Sequence, residues 1–105
     1  MAITSNALPA TNATSIFTST GAQGDAVTTM YFCNRDTDTR TFNLYLVPNG
    51  GTAGVNNIAY SNKVITAGDT YIIDWEKLVL GPGDSIQANS NVANAIVATV
   101  STIGV

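Results

Sequence analysis

Two Gly-Asp turns, each followed at once by a hydroxyl residue and a short apolar run, constrain the fold of this chain more than any other feature. Gly68-Asp69-Thr70 leads into Tyr71-Ile72-Ile73, and Gly83-Asp84-Ser85 leads into Ile86-Gln87-Ala88. Glycine takes the positive φ that such a turn demands, and the Asp carboxylate accepts hydrogen bonds from backbone amides a residue or two further on. Turns of this kind between β-branched and aromatic runs belong to a sheet. From Val27 onward nearly every segment conforms. Thr41 to Val47 alternates with period two, placing Phe42, Leu44 and Leu46 on one face and Thr41, Asn43 and Tyr45 on the other. Pro48-Asn49-Gly50-Gly51 stops it, because proline cannot donate to a ladder. Further strands follow at Ile58 to Ile65, Thr70 to Trp75, Leu78-Val79-Leu80, Ser85 to Ala88 and Ala95 to Ile103, the last with Ile96, Ala98 and Val100 inward. Val27 to Asn34 carries apolar residues on both parities and is expected to be covered on both faces. No segment holds a 3.6-residue apolar period over the length of a helix. The expectation is all-β: a small antiparallel β-sandwich, jelly-roll or Ig-like, of roughly seven to eight strands with an extended N-terminal arm.

Residues 1–24 are read apart from the sandwich of 25–105. They are rich in Ser, Thr, Asn and Ala, broken by Pro9 and by Gly21-Ala22-Gln23-Gly24. Ile16-Phe17 resembles a short strand, and Ile3 and Leu8 are isolated apolar points. Two readings stand side by side: an edge strand preceded by a frayed tail, or an arm reaching a neighbouring subunit with Ile3 and Leu8 as its anchors. The arm reading predicts that residues 1–12 can be removed without unfolding the protein. Candidate interface residues are Ile3, Leu8, Ile16 and Phe17 here, with Tyr45 and Tyr60 in the sandwich, since large aromatics often anchor interfaces.

Charge decides much of the rest. Only 10% of the 105 residues are charged, and the net charge is −3, against a typical charged fraction of ~25%. Thr, Asn and Ser stand where Lys and Glu usually sit, groups that hydrate adequately yet cost little to cover with a partner. Arg35, Arg40, Lys63 and Lys77 are too few and too scattered to displace phosphate counterions, which argues against nucleic acid. No apolar run reaches the ~18 residues of a membrane span. No charged-then-apolar leader is visible and Cys33 has no second cysteine to pair with, so synthesis in a cytoplasm is expected.

Catalytic chemistry finds little support. There is no histidine to serve as a base, and neither Lys63 nor Lys77 sits in a serine–lysine context. Cys33, in a strand of large apolar residues, is expected to be a small core hydrophobe. Asp74 and Glu76 share a strand parity but read as a polar edge rather than a glycosidase pair. Asp36 and Asp38 lack the Gly and distal Glu of an EF-hand and are expected to pair with Arg35 and Arg40 rather than bind Ca²⁺. Asp69 and Asp84 are expected to serve their turns rather than a metal. No catalytic residue, cofactor or metal is assigned.

The succession Phe32-Cys33-Asn34, Leu44-Tyr45-Leu46-Val47-Pro48-Asn49-Gly50, Ala67-Gly68-Asp69-Thr70 and Leu78-Val79-Leu80-Gly81-Pro82-Gly83-Asp84-Ser85-Ile86 resembles the small β-sandwich virion structural proteins of tailed bacteriophages. The resemblance spans about Ala26 to Ile103. It implies a capsid decoration (cement) protein on the virion surface, a homotrimer bound to the major capsid protein, with no enzymatic activity. Alternatives are a tail, neck or fibre component and, in another class, a carbohydrate- or host-surface-binding module using Tyr45, Tyr60 and the Asn-rich loops at 49–57 and 89–94.

Overall fold

A computed structural model describes residues 2–74 and 78–104. Those residues form nine strands and no helix: β1 (Ala2–Ala7), β2 (Thr14–Thr18), β3 (Asp25–Asn34), β4 (Arg40–Val47), β5 (Ile58–Ile65), β6 (Thr70–Ile73), β7 (Leu78–Leu80), β8 (Ser85–Ser90) and β9 (Ile96–Gly104). They build two antiparallel sheets. Sheet A has the order β1-β9-β3-β6, with β7 also on β3; sheet B has the order β2-β8-β4-β5. The protein is a β-sandwich.

The pairings are nested. β1 pairs with β9, β2 with β8, β3 with β6 and β7, and β4 with β5. β6 pairs with Met30–Cys33 and β7 with Asp25–Val27, so the two occupy successive stretches of one side of β3. Counted as one interrupted strand, they complete a long antiparallel hairpin whose tip is the β4–β5 loop. Rolling that hairpin brings β9 against β3 and β8 against β4. This is the doubly Greek-keyed jelly roll, and it decides between the two sandwich types left open by the sequence.

Phe32 of β3 and Phe42 of β4 are fully buried and stack across the sandwich, their ring centroids 4.3 Å apart and their planes within 7°. Around them lie Met30, Leu44, Ile73, Ile86, Ile96, Ala98 and Val100. One long side is closed by Tyr60 and Tyr71, in edge contact at 5.9 Å, with the Lys63 ammonium 4.6 Å above the Tyr71 ring. The other is closed by Leu8 and Ile16, both in the core, and by Asn6 Nδ2 donating to the Ile16 carbonyl at 3.2 Å.

Several expectations need correction. Residues 2–7 are not an arm: they run along β9 in register from Ala2–Thr102 to Ala7–Val97. Residues 14–18 form an edge strand of sheet B, as the edge-strand reading of this region has it. Because Leu8 is buried, removing residues 1–12 would strip a strand and open the core. Of the proposed interface residues, Leu8 and Ile16 have no surface to offer, while Phe17 and Tyr60 pack against the core. Ile16 is the extra residue of a bulge between Ser15 and Phe17, which turns both apolar side chains away from solvent. β3 is not covered on both faces. A bulge between Val27 and Thr29 switches its parity, so Val27 and Met30 both point inward, and Tyr31 and Cys33 lie on the outer face. Cys33 is therefore half-buried on the outside rather than a core residue. In β5 the irregularity opposite Phe42–Leu44, with Asn62 at φ 50°, does the same and leaves Val64 exposed. In β7, Leu80 is buried while Val79 is exposed. Trp75 as the end of the strand from Thr70, the Asp74–Glu76 pair and Lys77 as a base involve positions outside the described residues.

The glycines of the Gly-Asp turns take the positive φ expected of them, but only Asp69 accepts from the amide that follows it; Asp84 reaches back and across instead. Gly68 and Gly83 have φ of 74° and 87°. Asp69 accepts from the Thr70 amide at 2.9 Å; Asp84 accepts from Gly81 N at 2.9 Å and, across the sandwich end, from Asn49 N at 2.8 Å. Gly24-Asp25, which sequence reading passed over, is a third instance: Gly24 has φ 96°, and Asp25 accepts from the buried Ser19 hydroxyl at 2.7 Å.

Candidate functional site

Of the carboxylates singled out in the sequence, Asp36, Asp38, Asp69 and Asp84 are held by their neighbours. Arg40 places Nε and Nη2 at 2.8 and 2.7 Å from the same oxygen of Asp36, with Asp38 further off at 3.4 Å. Arg35 turns away and donates to the Asn94 carbonyl at 2.8 Å. The Arg40 hydrogen bond, helped by the Thr37 amide, holds the Asp36 carboxyl below its ordinary value of 3.8. A depressed folded value stabilises the fold above the unfolded value, and the contribution is lost as pH falls through the lower, folded one. An NMR titration of the Asp36 carboxyl should therefore give a midpoint below 3.8, and Arg40→Gln should bring it back up. No group of three or more His, Cys, Asp or Glu able to hold a metal occurs among the described residues.

Two surfaces remain, one on the outside of each sheet. On sheet A, residues in register share the outward face, as in the row Ser5–Thr99–Tyr31–Ile72 and its neighbour Ala7–Val97–Cys33–Thr70. Seven large apolar side chains are exposed among the described residues, and five lie here. Their exposure runs from 41% for Tyr31 and Ile103 to 74% for Ile3, with Ile72 and Val79 between. The outward-facing rows carry no charged side chain, Asp25 pairing with Leu80 on the inward parity; Asp74, just past β6, stands at the margin. The sequence hid this face because its apolar residues come from five strands spread over the whole chain.

On sheet B the outward face is polar and concave. Tyr45 of β4 lies directly opposite Gln87 of β8, and Asn43 directly opposite Asn89. Tyr45, Gln87 and Asn89 form the floor of a cleft of about 430 Å³, walled by residues 11–13 on one side and 51–53 on the other. None of its lining residues is charged.

A relay of amides fixes this cleft. The Asn62 backbone N–H donates to Asn43 Oδ1 at 2.8 Å, Asn43 Nδ2 to Asn89 Oδ1 at 2.9 Å, and Asn89 Nδ2 to the Thr11 carbonyl at 2.8 Å. The last bond ties one wall to the floor. The opposite wall is closed on itself by Asn57, whose Nδ2 donates to the Thr52 carbonyl at 2.8 Å and whose Oδ1 accepts from Gly54 N at 3.0 Å. Of the residues singled out in the sequence, the structure brings Tyr45 to this cleft together with part of the 49–57 loop and Asn89. Tyr60 and the 91–94 turn lie elsewhere. Ile3 is on the opposite sheet. Gln87 and the 11–13 wall had no signal in the sequence, since only the nested pairing of β2, β8 and β4 places them beside Tyr45.

Comparison with protein-family profiles, curated proteins and solved structures finds no significant match to this chain.

Proposed function

We propose that this chain is a structural component of a bacteriophage particle, a capsid decoration protein that associates with copies of itself and attaches to the shell. The observation that carries the reading is the apolar outer face of sheet A, whose paired outward rows carry no charge among the described residues. A chain of net charge −3 meets its own copies best through a face without charge, where no like charges are buried against each other. Four strand lanes, β6 and β7 sharing one of them, about 4.8 Å apart and about 20 Å long give a face of about 400 Å². That is less than the ~800 Å² per partner of an ordinary specific interface. One such contact is weak, and it becomes firm when closed symmetry and many lattice positions engage together. Decoration of a shell offers that arrangement, and a homotrimer at a three-fold junction fits it. The jelly roll, a fold recurrent in viral capsid proteins, adds support by analogy. With no histidine in the chain, and with Asp69 and Asp84 engaged in turns and Asp36 and Asp38 in the Arg40 pair, the chain is read as non-enzymatic. A tail, neck or fibre position is the alternative, and it differs in copy number.

The double variant Tyr31→Asp/Ile72→Asp places charge on two cross-strand neighbours at the centre of this face. It should remain folded by circular dichroism yet run as a monomer by native mass spectrometry, and its occupancy on purified particles should fall at least about tenfold. In the parent chain, quantitation against the major shell protein should give a stoichiometry near that of the shell lattice. A parent chain that is monomeric at high concentration and absent from particles would remove the basis of the reading. A copy number of roughly a dozen per particle would move it to the tail.

A further inference from the structure

Independently of where the protein resides, we infer that the Tyr45–Gln87–Asn89 cleft on sheet B binds a neutral oligosaccharide. The chemistry of the lining selects the ligand class. An amide side chain presents a donor and an acceptor side by side, the spacing at which vicinal sugar hydroxyls offer their own. Gln87 donates through Nε2 to the Ser85 hydroxyl at 3.2 Å, and its carbonyl oxygen is taken by no other described residue, nor is the Tyr45 hydroxyl. The Tyr45 ring supplies the one broad apolar surface in the floor, suited to the C–H face of a pyranose. An anionic ligand would meet no cation here, because no lining residue is charged. A purely apolar ligand would leave the hydroxyls and amides of the cleft without partners, at a cost of about 1–3 kcal/mol for each group buried.

The cleft is also built in advance. Its floor stands on β8 and β4, the two interior strands of sheet B, and its walls are held by the Asn89 and Asn57 amides. A ligand entering it does not have to order a loop, which spares the entropic penalty that weakens binding to mobile sites. The volume of about 430 Å³ falls in the range of small-ligand sites and accommodates roughly two sugar rings. A longer chain would continue out of the open ends of the cleft.

The test uses the intact 105-residue chain in solution NMR, titrated separately with neutral oligosaccharides of glucose, mannose, galactose and N-acetylglucosamine. Sialylated and sulfated oligosaccharides serve as charged controls. At least one neutral member should bind with Kd of about 0.1–1 mM, moving the amides of Tyr45, Gln87 and Asn89 and leaving those on the outer face of sheet A in place. The binding should be indifferent to EDTA and to added salt. Tyr45→Ala should weaken it at least about tenfold, and Tyr45→Phe should keep most of it. Gln87→Ala gives a second reading should Tyr45→Ala disturb the sheet. The inference is overturned if no neutral member binds, if only the charged controls bind, if the shifts map elsewhere, or if both alanine variants bind as the parent does.

Discussion

Replacing Phe42 by alanine should destabilise the protein by about 4 kcal/mol, the largest loss expected from any single core truncation. The side chain has no exposed surface, stacks on Phe32 across the sandwich, and lies 6.2 Å by centroid from both Tyr60 and Tyr71. Truncation removes the ring that joins the two sheets and the two closing tyrosines at once. Its neighbours sit on strands pinned by cross-strand pairing, so they cannot collapse into the space. A domain of this length has a total stability of only about 5–15 kcal/mol. The melting temperature should then fall by roughly 15–25 °C, and the denaturant midpoint should drop with little change in slope. Phe42→Leu, which keeps much of the volume, should cost about half as much. A loss below about 1 kcal/mol for Phe42→Ala would mean that the sheets do not meet where the stack places them.

The second large effect is polar. Asn34, fully buried at the end of β3, donates through Nδ2 to the carbonyls of Asp38 and Ile65, each at 2.9 Å, and accepts from the Asp36 amide at 3.0 Å. Its backbone accepts from Gly68 N at 3.0 Å and donates to the Asp69 carbonyl at 2.9 Å. One residue thus fastens the β3–β4 loop, the end of β5 and the turn before β6. Asn34→Ala should cost about 3 kcal/mol, because three partner groups lose their bond and the Ile65 carbonyl is buried without another route to water. Asn34→Asp is the informative companion. It retains the acceptor for Asp36 but sets a carboxylate against two carbonyl oxygens, so at neutral pH it should be worse than Asn34→Ala. Protonation in acid restores one donor, and the gap from the parent chain should narrow as pH falls. Chemical denaturation at neutral pH and near pH 4 reads both effects.

Phe42, like Leu44, Ile96, Ala98 and Val100, was legible from alternation alone, since a period of two on an uninterrupted strand has a single solution. The Gly-Asp turns were legible because their backbone conformation selects so few residue types. Alternation fails wherever a bulge intervenes. Val27 and Met30 both reach the core only through the irregularity at Thr28, where the extra residue donates from Oγ1 to the Ser101 carbonyl at 3.1 Å. Asn62 plays the same part in β5 and explains why Tyr60 points inward while Val64 does not. β1 was obscured for another reason. As an edge strand it carries Thr4 and Asn6 where a central strand would carry Val or Ile, and its one large apolar residue, Ile3, faces out. The cleft on sheet B was half legible: Tyr45 stood out by parity, but its floor companions Gln87 and Asn89 arrive from a strand more than forty residues away.

The nested pairing has a bearing on how the protein is made. β9 lies between β1 and β3 in sheet A, so β1 leaves the ribosome long before the strand it pairs with. At about 5–20 residues per second, that wait lasts roughly 5–20 s. Until then β1 is an unpartnered, uncharged extended segment and sheet A lacks an interior strand. Completion of the sandwich is therefore tied to the emergence of β9, and the growing polypeptide holds sheet A open until that strand arrives.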